Sequence, residues 1–282
     1  MRDDGGASGE AIAQALESVA TDLGPPAEET ILLENRGKHV HEIRWLLARP
    51  RSSVIDIGGG LGVNLLSVRR LVGPGPRLVL LDRLREYDDT NRMGSAERAL
   101  PLLEAEGVEV DRTDFWPEPR LGHPDGSFEA ATVFDVLEHL PGSPLPLLIE
   151  IRRVLDRDGR LYLGGPNAAA LMRRAKLAAG RHPYMPYDLW VGDEEYVGHF
   201  REYTPSEYRG LLVRAGFQPG RVELVAEPTR TRARRSYHRG RHHPLSPRAL
   251  ALRTANLVES ALPPLRPSVY CEATPAEEAD VR

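Results

Sequence analysis

The sequence predicts an α/β protein organised on a doubly wound parallel sheet. Three observations carry that expectation. Short apolar, strand-like runs alternate with helix-period segments from residue 53 to residue 163. The first run, Val54-Ile55-Asp56-Ile57, breaks into the glycine cluster Gly58-Gly59-Gly60-Leu61-Gly62 and then into an apolar-periodic segment. The following strand-like runs close on the acids Asp82, Asp114 and Asp135, and in such sheets the carboxyl ends of strands face the ligand crevice.

Composition bounds the reading. The chain has 282 residues, enough for one α/β domain with appendages, and 41% of them are hydrophobic, enough for an ordinary core. A formal net charge of −4 argues against general nucleic-acid affinity. Cys271 is the only cysteine, which excludes an intrachain disulfide and a thiolate metal cluster. No apolar run approaches the ~20 residues of a membrane helix. Residues 1–10 are acidic and glycine-rich, unlike a signal peptide, so a cytoplasmic enzyme is expected.

In chain order, residues 1–9 read as disordered and 10–23 as a helix with Ile12, Leu16, Val19 and Leu23 inward. Gly24-Pro25-Pro26 breaks it, and a second helix spans 28–48. Asn35, Arg36, Lys38 and His39 on that helix are placed either at the mouth of a site or on a structural cap. Strand 54–57, the glycine turn and a helix over 61–72 follow, then strand 77–82, a polar stretch 83–91 and a helix to 106. A third strand covers 108–110, a fourth 128–135, a helix 146–155 and a fifth strand 160–163, ended by Gly164-Gly165-Pro166. A basic helix spans 168–179, a long aromatic segment 182–203, and a segment of that length points to function. Thr204-Pro205-Ser206-Glu207 reads as a capping box opening a helix to 215, with a sixth strand over 217–226, a helix over 247–262 and a seventh strand over 267–274.

Asp56-x-Gly58-x-Gly60-x-Gly62, then Asp82 about 20 residues on, then Asp114-Phe115, are three ordered motifs. Together they resemble those of the class I S-adenosylmethionine (SAM)-dependent methyltransferases, from Val54 to Phe217 and again in the last strand. The resemblance implies a Rossmann-like seven-stranded sheet with the last strand antiparallel, an N-terminal helical cap over residues 1–50, and a SAM-binding domain over 51–282. Within that domain it implies a substrate lid at 168–203 inserted after the fifth strand, beside a basic loop at 228–246. For the cofactor, it implies that Gly58, Gly59, Gly60 and Gly62 let the backbone approach SAM and that Asp56 organises the loop and the methionine ammonium. Asp82, with Arg83 beside it, falls where an acid takes the ribose hydroxyls, Asp114 and Phe115 where the adenine binds, and Asp135 near the methionine tail.

The substrate side is read from two further segments. Asp135-Val136-Leu137-Glu138-His139 resembles the E-V-L-E-H segment of small-molecule O-methyltransferases, including those of quinone biosynthesis. His139 is a candidate base, because an imidazole titrates near working pH; the alternative is that it only orders the turn. His199 is the second candidate base. No metal is assigned, although Asp135, Glu138 and His139 are ligand types that some quinone-type relatives use for a divalent ion. Gly198 to Pro205 resembles the H-x-R-x-[FY]-T-P lid segment, so Arg201, Tyr203, Tyr184, Tyr187 and Trp190 are assigned to the substrate, with Tyr196 in the same aromatic cluster. The basic run from Arg230 to His243 could take an anionic group.

The function expected is methyl transfer from SAM to a small molecule, at a hydroxyl oxygen, in bacterial biosynthesis, by a chain that forms a homodimer if it assembles at all. The alternatives are N- or C-methylation, RNA methylation, and a silent SAM-binding subunit. Against RNA amine methylation, no N/D-P-P-Y/F signature follows the fourth strand.

Overall fold

A computed structural model describes residues 7–85, 94–184, 198–226, 254–255 and 257–277. Seven strands form one sheet in the order β3-β2-β1-β4-β5-β7-β6. They are β1 (Ser53–Ile57), β2 (Arg77–Leu81), β3 (Val108–Asp111), β4 (Phe128–Phe134), β5 (Leu155–Pro166), β6 (Phe217–Val225) and β7 (Ser268–Pro275). The first five are parallel, and β7 runs antiparallel between β5 and β6. The strand order reverses between β1 and β4, and the crevice at that point is where open α/β sheets bind ligands.

Helices cover both faces. α1 (Gly9–Leu23) starts within the stretch expected to be disordered, because Ser8 caps it by accepting from the Ala11 N–H. A short turn, α2 (Ala27–Glu29), passes through a π-helical turn (Thr30–Asn35) into α3 (Arg36–Leu47). The single helix expected over 28–48 is thus interrupted by a π segment, a feature frequent at functional sites. α4 (Val63–Val72) and α5 (Ala96–Ala105) complete this layer. Ile12, Leu16, Ile43 and Leu46 share one core with Leu65, Leu66, Val54, Leu78 and Leu80, so the N-terminal helices are packed onto the sheet. The opposite layer holds α6 (Leu145–Val154) and α8 (Pro205–Arg214) over Phe128, Val133, Leu161 and Cys271. α7 (Leu171–Ala178) follows β5 and has no buried residue.

The fifth strand is longer than expected. Gly164 and Gly165 lie inside it rather than at its end, because both pair with β7, opposite Tyr270 and Val269, and only glycine fits there. A Cβ at Gly164 would collide with the Tyr270 ring and one at Gly165 with the Tyr208 hydroxyl. The capping box at Thr204 forms as expected, with the Thr204 hydroxyl and the Glu207 carboxylate each taking the other's backbone N–H. Among the described residues no helix is long and apolar enough to cross a membrane. The basic loop 228–246 and residues 247–253 and 256 of the helix expected over 247–262 lie outside the described residues.

Candidate active site

The carboxyl ends of β1, β2 and β4 open on a cleft of about 1120 Å³, room for a nucleoside-sized cofactor and a small partner together. One wall is the glycine turn and the strand-end acids. Gly62 adopts φ +72° to start α4, and a Cβ there would strike Leu103. Gly62 is absent from the cleft wall, and its glycine is required by the turn and its packing. Gly58, Gly59 and Gly60 do line the cleft. A Cβ at Gly59 would run into Asp56 Oδ2 and Leu80 Cδ1.

Asp56 is 1% exposed. Its Oδ1 accepts from the Thr132 hydroxyl at 2.6 Å, while its Oδ2 is buried with no partner. Burial, with the Glu42 and Asp82 charges adding to it against the Thr132 bond, pushes its pKa up to about 7. Asp82 ties the turn to β2: Oδ2 accepts from the Gly60 N–H at 2.8 Å and Oδ1 from the Leu84 N–H at 2.7 Å. Arg83 reaches Asp114 at 3.4 Å, and Asp114 Oδ1 accepts from the Trp116 N–H at 3.1 Å. Phe115 is packed on the core and lines the cleft beside them.

The facing wall comes from the π turn and α3, and the sequence alone left it open. Lys38 Nζ lies 2.6 Å from Asp135 Oδ2. Asp135 has φ +52°, rare for a residue with a side chain, at the end of β4. Burial acts to raise the Asp135 pKa, but the Lys38 ammonium outweighs it and holds the carboxyl below its usual range. His39 Nδ1 donates to Asn64 Oδ1 at 2.9 Å, Asn64 Nδ2 to Glu42 Oε2 at 2.8 Å, and the Tyr270 hydroxyl to Glu42 Oε1 at 3.0 Å. This network pins α3 to α4 and β7. Burial, with Asp135 adding to it, raises the pKa of Glu42.

At the lid end, the His139 and His199 rings meet edge to face, 4.9 Å apart. His139 Nδ1 is 3.2 Å from the Gly198 carbonyl, which only accepts, so Nδ1 carries the proton. His199 Nδ1 is 2.8 Å from Glu202 Oε1, and Arg173 donates to both Glu202 oxygens at 2.7 and 2.5 Å. Burial alone would raise Glu202, but the bonds from His199 and Arg173 hold its pKa low, so that carboxylate accepts from His199. Glu138 is 1% exposed and its Oε2 has no partner. Burial, then the Asp135 charge, raises its pKa well above the usual value. Among the described residues, those that could hold a metal are Glu138, His139 and His199, whose ligand atoms lie within 4.8 Å of one another. Asp135, part of the set weighed from sequence, is turned to Lys38 instead.

Three residues assigned to the substrate have other contacts in the structure. Arg201 pairs with Glu207 of the capping box at 2.7 Å and is 62% exposed. Tyr203 is a core residue against Tyr208. Tyr184 packs near His182 and gives its carbonyl to Lys176. None of the three lines the cleft, whereas Met172 and Arg173 of α7 do. The positions of Tyr187, Trp190 and Tyr196, and of Arg230 to His243, lie outside the described residues.

A seven-stranded sheet with one antiparallel insertion, a glycine turn after β1 and acids at the ends of β1 and β2 together define a class I methyltransferase fold. The chain belongs to the methyltransferase domain family, which matches residues 32–220. It is 29% identical over 184 residues, 65% of this chain and 70% of the relative, to a ubiquinone biosynthesis O-methyltransferase of Xanthomonas axonopodis pv. citri. It is 35% identical over 120 residues to an uncharacterized 37.1 kDa protein in transposon TN4556 of Streptomyces fradiae, a match that spans 43% of this chain but only 32% of that protein. Among solved structures it resembles the 1,6-didemethyltoxoflavin-N1-methyltransferase of Burkholderia thailandensis, with TM-score 0.53 and 17% identity over 96% of this chain and 92% of that one.

Proposed function

We propose that this chain transfers the methyl group of SAM to a small biosynthetic molecule, at a hydroxyl oxygen. The observation that carries the reading is the buried Asp56 oxygen without a partner, set behind a glycine turn that a single Cβ would fill. A buried polar atom left unpaired is costly, and a ligand amine would satisfy it. The donor set fits SAM elsewhere too. Both Asp82 oxygens already take backbone N–H groups, but each keeps a lone pair for the ribose hydroxyls. Asp114 and Phe115 suit the adenine amine and ring, and Asp135 the methionine end. The Burkholderia structure, crystallised with S-adenosylhomocysteine, supports the same cofactor.

When bound, SAM supplies a methyl group already activated on a sulfonium. The chain's own work is then to orient the acceptor and take its proton. Positioning of this kind is worth up to ~7–11 kcal/mol in favourable cases. His199 is the better placed base. Its Nδ1–H is held by a carboxylate rather than by a carbonyl, which fixes the tautomer and leaves Nε2 as the proton-accepting atom. His139 lies against it and shapes the same end of the cleft. Acceptance of a proton favours a hydroxyl acceptor, and the O-methyltransferase relative supports it.

Calorimetry tests the reading. The wild-type chain should bind SAM, and Asp82→Ala should weaken that binding at least about 10-fold, the loss of charge-assisted hydrogen bonds. Unchanged affinity would remove the cofactor assignment. Transfer of a labelled methyl group, followed by mass analysis of the product, then separates O- from N- or C-methylation. A silent subunit would bind SAM and release no S-adenosylhomocysteine with any acceptor.

A further inference from the structure

The opposite end of the sheet carries a second opening, apart from the cleft. At the amino ends of β1 and β2 a groove of about 410 Å³ lies between the end of α3 and α4, a size within the range of small-ligand sites. Its walls are aliphatic: Leu46 and Leu47 of α3, Val68, Leu71 and Val72 of α4, and Leu78 of β2. Among the described residues no aromatic ring lines it. Leu46, Val68 and Leu78 belong to the core, whereas Val72 is 46% exposed. The groove therefore leads from solvent onto the core, and open apolar surface with a polar rim marks a binding site. The charged residues that line it, among those described, are Arg49 and Arg51, on the short link between α3 and β1. Neither has a hydrogen bond or an ion pair among the described residues. The acids that act on Arg51 are engaged elsewhere: Glu129 accepts from the Ser52 N–H and hydroxyl, and Glu272 accepts from Arg160. Arg51 is half-buried, and burial, then the Arg160 and Arg49 charges, lower its pKa.

We propose that this groove binds a free fatty acid, with its carboxylate on Arg49 and Arg51 and its alkyl chain along Leu47, Val68 and Val72. The guanidinium fork matches a carboxylate with two parallel hydrogen bonds, and two such groups without acid partners supply the complementary charge. Aliphatic walls without a ring suit a flexible alkyl chain rather than a flat aromatic ligand. The hollow shape takes one chain from solution, and the formal net charge of −4 opposes adsorption of the whole protein on an anionic bilayer. The groove lies at the amino ends of the strands, away from Asp56 and Asp82 at their carboxyl ends, so this site does not depend on the SAM reading.

The test titrates the full chain with decanoate, octanoate and decanol, each below its micellar concentration, by calorimetry, on wild type and on the double variant Arg49→Gln/Arg51→Gln. Decanoate should bind wild type about 10-fold more tightly than octanoate, the effect of two further buried methylenes. The double variant should lose decanoate by at least about 10-fold and decanol by no more than about twofold, and the retained decanol affinity shows that the variant is folded. Hydrogen exchange with decanoate bound should slow in residues 46–47 and 65–72 and stay unchanged in residues 58–62 and 135–139. No binding of decanoate to wild type, equal losses for decanoate and decanol, or protection confined to the cleft overturns the proposal. So does sedimentation that shows two copies of the chain covering this face, or adsorption on phosphatidylglycerol vesicles without binding of free decanoate.

Discussion

Asp56→Asn is expected to make the empty protein more stable at pH 8 and to cost it tight SAM binding. A carboxyl held at about 7 instead of its ordinary 3.8 stabilises the folded state only while it is protonated. That contribution is fully present below about pH 4 and is lost as pH rises through 7. A shift of this size corresponds to a penalty of order 4 kcal/mol at pH 8, tempered by relaxation around the site. Asparagine is neutral at every pH and still accepts from Thr132 through its carbonyl. The thermal midpoint should therefore rise by about 5 °C at pH 8 and stay nearly unchanged at pH 4. A midpoint that falls at pH 8 would show that Asp56 is not strained in the empty cleft. The same charge explains the functional loss, because the ligand amine is paired with a carboxylate and not with an amide. Binding should then release a proton: affinity should rise with pH up to about 7 and level off above it. Calorimetry in two buffers of different ionisation enthalpy reads that proton directly. A site that trades stability for ligand binding in this way is what the stability–function balance leads one to expect.

What the sequence made legible is the half of the site that one strand-turn-helix and two strand ends carry. Val54 to Gly62 sets β1 and the turn, and Asp82 closes β2, so their roles follow from local pattern and the fixed topology of a parallel sheet. The other half is built by contacts across long stretches of chain. Lys38 meets Asp135 across 97 positions and Tyr270 meets Glu42 across 228, and no periodicity announces either. Gly164 and Gly165 look like a strand terminus in sequence. They are interior because β7 pairs with them, and they are glycine because Tyr270 and Tyr208 leave no room for a Cβ, which a one-dimensional pattern does not carry. The partner of Arg201 is local. Glu207 was legible as the capping residue, and the same carboxylate takes the arginine.

Glu202→Ala is expected to release α7 from the cleft and to lower methyl transfer by about 100-fold, with little global unfolding. Breaking a fully buried ion pair costs about 3–5 kcal/mol. Arg173, however, keeps 25% of its side chain exposed and can turn to water once unpaired, so the global cost should be nearer 1–2 kcal/mol. The local effect is larger. α7 buries none of its residues, so the Arg173–Glu202 pair carries much of its attachment. Losing the pair frees the helix that lines the acceptor side and unsets the His199 tautomer in one step, and general-base catalysis of this kind is worth about 10²–10⁴-fold. Hydrogen exchange in residues 171–178 should rise sharply while the sheet stays protected. Adding Arg173→Met should recover stability, because no unpaired guanidinium then remains, but not turnover, because His199 still lacks its carboxylate. Glu202 is held below its ordinary pKa, so its contribution to stability is present above the usual carboxylate range and is lost as pH falls through the folded value. The stability gap between wild type and Glu202→Ala should therefore close in acid, below about pH 4. A gap that persists there would mean that Glu202 acts through packing and not through charge.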